Sequence, residues 1–266
     1  MRFVTLDVFA EQPFAGNPLA VVLDADGLDQ EMMQRIAAEF NYSETAFVCA
    51  PTEPGFDARL RFFTPSREMA FAGHPNIGTA LLLAEGDRRL RFEEKIGAVA
   101  VTVRDSVAEL TGPQPFKILG SVERESAAAV SGIDPKAITH LPVIASCGSP
   151  FVMAEVESED VLQQARPVAA YRARGPVGVM LFCGRDPVRA RVFIPASGVR
   201  EDPATGSGAL VLAGLLAQWG GSGSWTIEQG VKIGRPSRLE ARADGRGRTW
   251  VAGGAVEIMR GTLVGD

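Results

Sequence analysis

The sequence predicts an α+β fold built from two related halves, each a set of mostly antiparallel strands around one mostly apolar helix. Three observations carry this. Residues 59–83 overlay residues 189–213 without a gap, and Arg59/Arg189, Arg61/Arg191, Phe63/Phe193, Pro65/Pro195, Gly78/Gly208 and Leu82/Leu212 coincide. Six identities in 25 positions exceed the roughly one or two that ordinary residue frequencies give. Each copy reads as a strand, a proline break and a helix apolar on nearly every side, and a helix of that kind has to lie inside something. Strands and helices are too intermixed for a sandwich, and the helices are too few for a doubly wound sheet.

In the first half, residues 3–9 read as a strand. A loop rich in turn formers, Glu11-Gln12-Pro13-Phe14-Ala15-Gly16-Asn17-Pro18, leads to a second strand at 19–23. Asp29 is placed to cap a helix running to Phe40, which collects Met32, Met33, Ile36, Ala37 and Phe40 on one face, and Asn41 suits the left-handed stop. A short strand at 46–49, the strand 59–63, the Pro65 break and a helix at 75–85 follow. Alternating runs at 90–93, 98–104 and 107–111 close the half.

The second half repeats the order. An amphipathic helix at 121–130 stops near Gly132, and strands at 143–146 and 151–156 flank the turn Cys147-Gly148-Ser149-Pro150. A short helix at 159–165, strands at 178–183 and 191–194, a core helix at 206–218 and strands at 224–228, 237–243 and 251–260 complete it. Prolines and glycines bunch at 112–120, so the halves divide as 1–117 and 118–266, with the last strand free to pack back on the first half.

Composition excludes several function classes. The 266 residues are 46% hydrophobic, enough for a real core, and 27 Lys and Arg against 32 Asp and Glu leave a net charge of −5 with the signs interspersed. That argues against a nucleic-acid or anionic-membrane surface. Cys49, Cys147 and Cys183 are odd in number and far apart, without a Cys-x-x-Cys, so neither a disulfide framework nor a zinc knuckle is indicated and a reducing cytoplasm is expected. The N-terminus meets an aspartate after six residues and does not read as a signal peptide. The uncharged run 203–227 is broken by glycines, and its dense apolar part, 209–217, falls short of the ~20 residues that span a bilayer. His74 and His140 stand 66 residues apart with no second ligand at metal spacing, so no metal is expected.

The equivalent loops of the halves carry different residues. The first offers Gly73-His74 ahead of its helix; the second offers Glu201-Asp202-Pro203-Ala204-Thr205-Gly206-Ser207-Gly208. Both end on helix N-termini, whose unpaired N–H groups and positive dipole end favour an anion. Two such helices facing across a pseudo-twofold can hold a small carboxylate from both sides. Each residue also has a plainer reading: Gly-Ser-Gly as a tight turn, Asp202 as a helix cap, His74 as a structural histidine, Glu44 as a solvated loop carboxylate. A P-loop is excluded, because Gly206-Ser207-Gly208-Ala209 lacks the Lys-Ser/Thr that must follow.

Several stretches recur in an order that resembles the PhzF family of phenazine-biosynthesis-like isomerases, which belongs with the diaminopimelate epimerase fold. They are Asp7-Val8-Phe9 with Pro13-Phe14-Ala15-Gly16-Asn17-Pro18, Asn41-Tyr42-Ser43-Glu44-Thr45-Ala46-Phe47, Phe63-Thr64-Pro65 with Ala72-Gly73-His74-Pro75, then 201–208, Glu228-Gln229-Gly230 with Gly234-Arg235-Pro236, and Gly253-Gly254. They run over essentially the whole chain. The resemblance implies two curled, barrel-like halves with the active site in the cleft between them, and a homodimer. In members with an assigned reaction the substrate is trans-2,3-dihydro-3-hydroxyanthranilate, and the Glu of the Ser-Glu-Thr motif moves a proton within its ring system. Carried over, Glu44 is the catalytic base, and Ser43, Gly73, His74, Asp202, Gly206 and Ser207 bind the substrate.

The physical demands agree with that assignment. Removing a proton next to a conjugated system needs a base that is ionised yet poorly solvated, and the same group must then return the proton as an acid. A carboxylate closed into an apolar cleft suits both duties, so Glu44 is expected to be buried. A proton shift needs no redox cofactor or metal, and no nucleotide-binding fingerprint occurs. Related racemases and epimerases use one thiol from each half-loop. Here those loops, 72–74 and 204–207, hold no cysteine, and Ala72 stands where many relatives carry Cys. The expected function is a cofactor-independent isomerase of a small carboxylic acid. The alternatives are a racemase or epimerase of an amino or hydroxy acid and a non-catalytic acid-binding protein.

Overall fold

The structure, a computed structural model, describes residues 1–168, 176–194 and 201–264. Pro195, the repeat partner of Pro65, lies outside the described residues. Strands β1 (Arg2–Val8) and β2 (Asn17–Val22) pair antiparallel, and helix α1 (Gln30–Phe40) crosses to β3 (Glu44–Cys49), which runs parallel to β2. Asp29 Oδ1 accepts from the Met32 N–H at 2.8 Å, and Asn41 stops α1 at φ 53°. β4 (Ala58–Phe63), the two-residue β5 (Glu68–Met69), the core helix α2 (Gly73–Leu83), β6 (Arg88–Glu94), β7 (Gly97–Arg104), β8 (Val107–Thr111) and β9 (Lys117–Ser121) follow.

The second half opens with α3 (Arg124–Ser131), then β10 (Val143–Ser146), β11 (Pro150–Glu155), α4 (Glu159–Gln164), β12 (Gly178–Cys183) and β13 (Val188–Phe193). The core helix α5 (Gly206–Gly220) and β14 (Gly223–Gln229), β15 (Ser237–Ala243), β16 (Thr249–Gly253) and β17 (Ala255–Thr262) complete it. The pairing repeats: β2 with β3 and β11 with β12 are parallel, β4 with β6 and β13 with β14 are parallel, and the remaining pairs are antiparallel. One curled sheet results, joined at its centre where β8 meets β16. The α+β expectation of two halves, each a sheet around one helix, is borne out.

β17 pairs with β1 and β9 pairs with β10, so chain ends and halves are laced together. α2 packs on β8, β1 and β7, and α5 on β15, β16 and β14, which is why both are apolar all round. Ile77, Leu210, Val211 and Leu212 are fully buried, each adding about 1.5–3 kcal/mol of transfer free energy. Among the described residues no helix is long and apolar enough to cross a membrane.

Four sequence expectations need correction. β9 was not foreseen: its five residues are all exposed, so no alternation marks it, and the helix expected from 121 starts only at Arg124. The single last strand expected at 251–260 is two, broken at Gly254, whose carbonyl accepts from Phe9 N–H at 2.8 Å. The helix expected at 75–85 starts at Gly73 and ends at Leu83, which places His74 inside its first turn. The repeat also carries a gap. Ala58 and Val188 open equivalent strands 130 residues apart, whereas Gly73 and Gly206 open equivalent helices 133 apart. Gly78 and Gly208 are therefore not equivalent; the longer second loop absorbs three residues.

Candidate active site

The two core helices meet end to end at their N-termini. A Cβ on Gly73 would sit 2.4 Å from the Ser207 nitrogen, and one on Gly206 would sit 3.2 Å from the Gly73 carbonyl carbon. Glycine is needed at 73 for backbone-to-backbone approach, which brings two positive dipole ends together. Equivalent ion pairs brace the loops that lead there. Arg61 Nε donates to Glu68 at 2.7 Å, and Arg191 grips Glu201 in a two-pronged pair at 2.8 and 2.7 Å. Arg191 also donates to the carbonyls of Leu162 and Ala165, so its buried charge is fully engaged.

Glu44 enters as the first residue of β3, directly behind the left-handed stop of α1. Its Oε2 is sealed from solvent without a hydrogen-bond partner and lies 3.5 Å from His74 Nδ1. The side chain as a whole keeps 17% exposure, so its other edge reaches solvent. Burial, and then the charge of Asp202, push the Glu44 carboxyl up to about 8, against a smaller opposite pull from the Ser43 hydroxyl. Burial drives His74 down to about 3, outweighing its contact with the Pro18 carbonyl, and His74 Nε2 is sealed without a partner. The contact has the span of an ion pair but holds a neutral imidazole beside a carboxyl that titrates near neutrality.

Asp202 sits at the centre of a buried network. Its Oδ1 accepts from Asn17 Nδ2 at 2.8 Å and its Oδ2 from Thr205 Oγ1 at 2.6 Å. Asn17 also donates to the Ala204 carbonyl and accepts from Ser43 Oγ at 2.8 Å, which links the residue beside Glu44 to the second loop. Gln229 Nε2 donates to the Asp202 carbonyl and to Thr205 Oγ1, and its Oε1 accepts from Thr205 N–H. Burial raises Asp202 to about 6; the hydrogen bonds from Thr205 and Asn17 hold it lower than burial alone would. The structure thus gathers Glu44 with His74, Gly73 with Gly206 and Ser207, and Ser43 with Asp202 through Asn17. Ser207 is half-buried at the helix junction.

Asn17 and Gln229 were missed by sequence reasoning, which read Asn17 as a turn former. Both lie in stretches that carried the family resemblance. Their signal was a polar residue where a strand meets a glycine turn, Gly16-Asn17 in one half and Gln229-Gly230 in the other. Asp7 and Arg235 hold the Asn17 loop in place: Arg235 pairs with Asp7 and donates to the Gly16 and Ala15 carbonyls, while Asp7 Oδ2 accepts from Phe14 N–H. Surface grooves lie elsewhere, among them one of about 540 Å³ beside Met32 and Leu263 and one of about 480 Å³ beside Glu11 and Arg238. Neither touches Glu44 or His74.

The loops that would carry paired thiols in a racemase hold Ala72 and Thr205, which cap α2 and α5. Cys49 ends β3 at the far end from Glu44, and Cys147 accepts from Thr249 Oγ1. Burial pushes Cys147 up to about 11, far from a thiolate.

This doubled fold recurs among solved structures. It is shared with a solved hydroxyproline epimerase from Agrobacterium vitis at TM-score 0.68 and 13% identity, covering 98% of this chain and 91% of that one. The chain belongs to the phenazine biosynthesis-like protein family, PhzC-PhzF, whose sequence profile matches residues 6–261. It is 40% identical over 256 residues to the trans-2,3-dihydro-3-hydroxyanthranilate isomerase of Pseudomonas aeruginosa, across 92% of this chain and 91% of that one. A Bacillus anthracis PhzF-family structure superposes at TM-score 0.87 with 26% identity, over 99% of both chains. The protein is an isomerase of this family with the diaminopimelate epimerase-like fold.

Proposed function

We propose that this isomerase shifts a proton within a small cyclic carboxylic acid of the trans-2,3-dihydro-3-hydroxyanthranilate kind, with Glu44 as the proton carrier. The observation that carries the reading is the sealed, unpartnered Glu44 Oε2 beside neutral His74, next to the abutting N-termini of α2 and α5. The substrate carboxylate lies against the N–H groups of Gly73, Gly206 and Ser207, where two dipole ends add. Ionised Glu44 removes a ring proton. The electron pair moves through the conjugated bonds toward the carboxylate, and the helix-terminal N–H groups stabilise the developing charge.

Glu44, now protonated, returns the proton at another ring carbon. No oxidation state changes overall, so the step calls for neither a redox cofactor nor a metal. His74, uncharged, donates an N–H without competing for the proton, while Asp202 and Ser43 hold the substrate's amine or hydroxyl. An epimerase reading draws on the shared fold but lacks a thiol in either loop. The family resemblance adds a homodimer to this proposal. The test is turnover of trans-2,3-dihydro-3-hydroxyanthranilate in deuterated water, followed by mass and NMR. Incorporation of solvent deuterium that disappears in Glu44→Gln supports the reading; equal exchange in that variant rejects it.

A further inference from the structure

Thr205 occupies the N-terminal cap position of α5, yet its hydroxyl is turned away from the helix. A threonine there ordinarily accepts, through its side-chain oxygen, from the N–H groups two and three residues ahead. In α5 those belong to Ser207 and Gly208, and the Thr205 hydroxyl makes no such bond. α2 reaches the same condition by composition, since its cap residue, Ala72, has no polar side chain to offer. Neither of the two facing helix ends is bonded by its own cap side chain.

The residue that turns Thr205 away is Gln229, buried at the end of β14. Its amide can stand only one way round. The Thr205 N–H can only donate, so it meets Oε1 at 3.2 Å; the Asp202 carbonyl can only accept, so it meets Nε2 at 2.7 Å. The second hydrogen on Nε2 goes to Thr205 Oγ1 at 2.9 Å. An amide nitrogen of this kind does not accept, so the single Thr205 hydroxyl proton is sent to Asp202 Oδ2, 2.6 Å away. Oγ1 is thus engaged on both sides, as acceptor from Gln229 and donor to Asp202.

We propose that Gln229 is a positioning residue that holds the Thr205 hydroxyl off the end of α5, keeping the terminal N–H groups, that of Ser207 among them, free for the substrate carboxylate. Without Nε2, Thr205 Oγ1 loses its donor, and the donors open to a threonine at a cap position are those same N–H groups. A hydroxyl oxygen seated there competes with an incoming carboxylate for one set of donors.

The benefit to substrate rests on the proposed function, whereas the seat of the hydroxyl is read without substrate, by amide hydrogen–deuterium exchange at Ser207 and Gly208. Gln229→Met keeps the bulk and removes all three hydrogen bonds. Protection at the two amides is expected to rise about fivefold, the factor one capping side chain carries; lost packing alone would lower it. Adding Thr205→Val, which has no hydroxyl, is expected to return protection to the parent level. Thr205→Val by itself is expected to leave both amides unchanged. A fall there, the mark of a threonine that already caps, overturns the proposal, as does a fall or no change in Gln229→Met. In turnover of trans-2,3-dihydro-3-hydroxyanthranilate, Gln229→Met is expected to raise KM about fivefold, and the added Thr205→Val to recover most of the loss. A KM defect that the second substitution does not relieve overturns the role toward substrate. Absence of turnover in the unmodified enzyme counts against the function alone and leaves the exchange measurement to decide on Gln229.

Discussion

Glu44 Oε2 and His74 Nδ1 stand 3.5 Å apart, and neither group is mainly charged at pH 7. An exposed pair at that distance would be a weak salt bridge. Here burial drives the carboxyl up to about 8 and the imidazole down to about 3, so the contact keeps a transferable proton on the carboxyl. Attraction between full charges would have trapped Glu44 as a permanent anion, a poor acid for the return step.

Glu44→Gln preserves shape and removes the carrier. Proton exchange into substrate, read by deuterium incorporation, is expected to fall about 10²–10⁴-fold. The same variant is expected to be more heat-stable than the parent. Glu44 and Asp202 titrate at about 8 and about 6 in the fold against ordinary values of 4.5 and 3.8. Between these limits the native chain holds more protons than the unfolded one, and stability falls as pH rises. The Tm gain of Glu44→Gln therefore appears at pH 8 and disappears by pH 4, measured by calorimetry at both.

The rate itself should rise with pH. A base acts in its ionised form, so kcat/KM of the free enzyme climbs toward about pH 8, where Glu44 loses its proton. Asp202 is already ionised there, and its charge is part of what holds Glu44 up. Asp202→Asn is expected to lower the plateau and move the midpoint to lower pH. A midpoint that stays in place separates the two carboxyls electrostatically.

Gly73→Ala puts a methyl group 2.4 Å from the Ser207 nitrogen, a backbone atom that cannot swing aside. The helix ends must part, at a cost of about 1–3 kcal/mol. A lower urea midpoint with unchanged slope, together with a loss of kcat larger than in Gly120→Ala, where an added methyl meets open space, is the expected result.

Asn17→Ala removes a donor to Asp202 and Ala204 and the acceptor of Ser43. Buried groups left unpaired cost about 1–3 kcal/mol, read from urea unfolding. The Asp202 carboxyl loses a bond that favours its ionised form, so its titration, followed by NMR, is expected to move up from about 6.

Much of the architecture was legible in the chain. Asp29 and Asn41 bounded α1 because capping is a local matter of one side chain and a few backbone groups. The apolar runs around Ile77 and Leu212 announced interior helices, and Glu44 stood out through the motif around it. β9 was illegible because five exposed residues carry no pattern, and it is held by pairing with β10 rather than by its own preference. The three-residue slip between halves was hidden by chance identities at Gly78/Gly208 and Leu82/Leu212.

The sequence by itself determined the doubled α+β plan, the two apolar helices and the loops that end on their N-termini, since these follow from periodicity, turn residues and caps within short reach. Tertiary structure alone decided that Asn17 meets Asp202 across 185 residues and that β9 and β17 lace the halves. It also decided the protonation of Glu44 and His74. Burial and the approach of distant polar groups set those properties, and both exist only once the two halves have closed on each other.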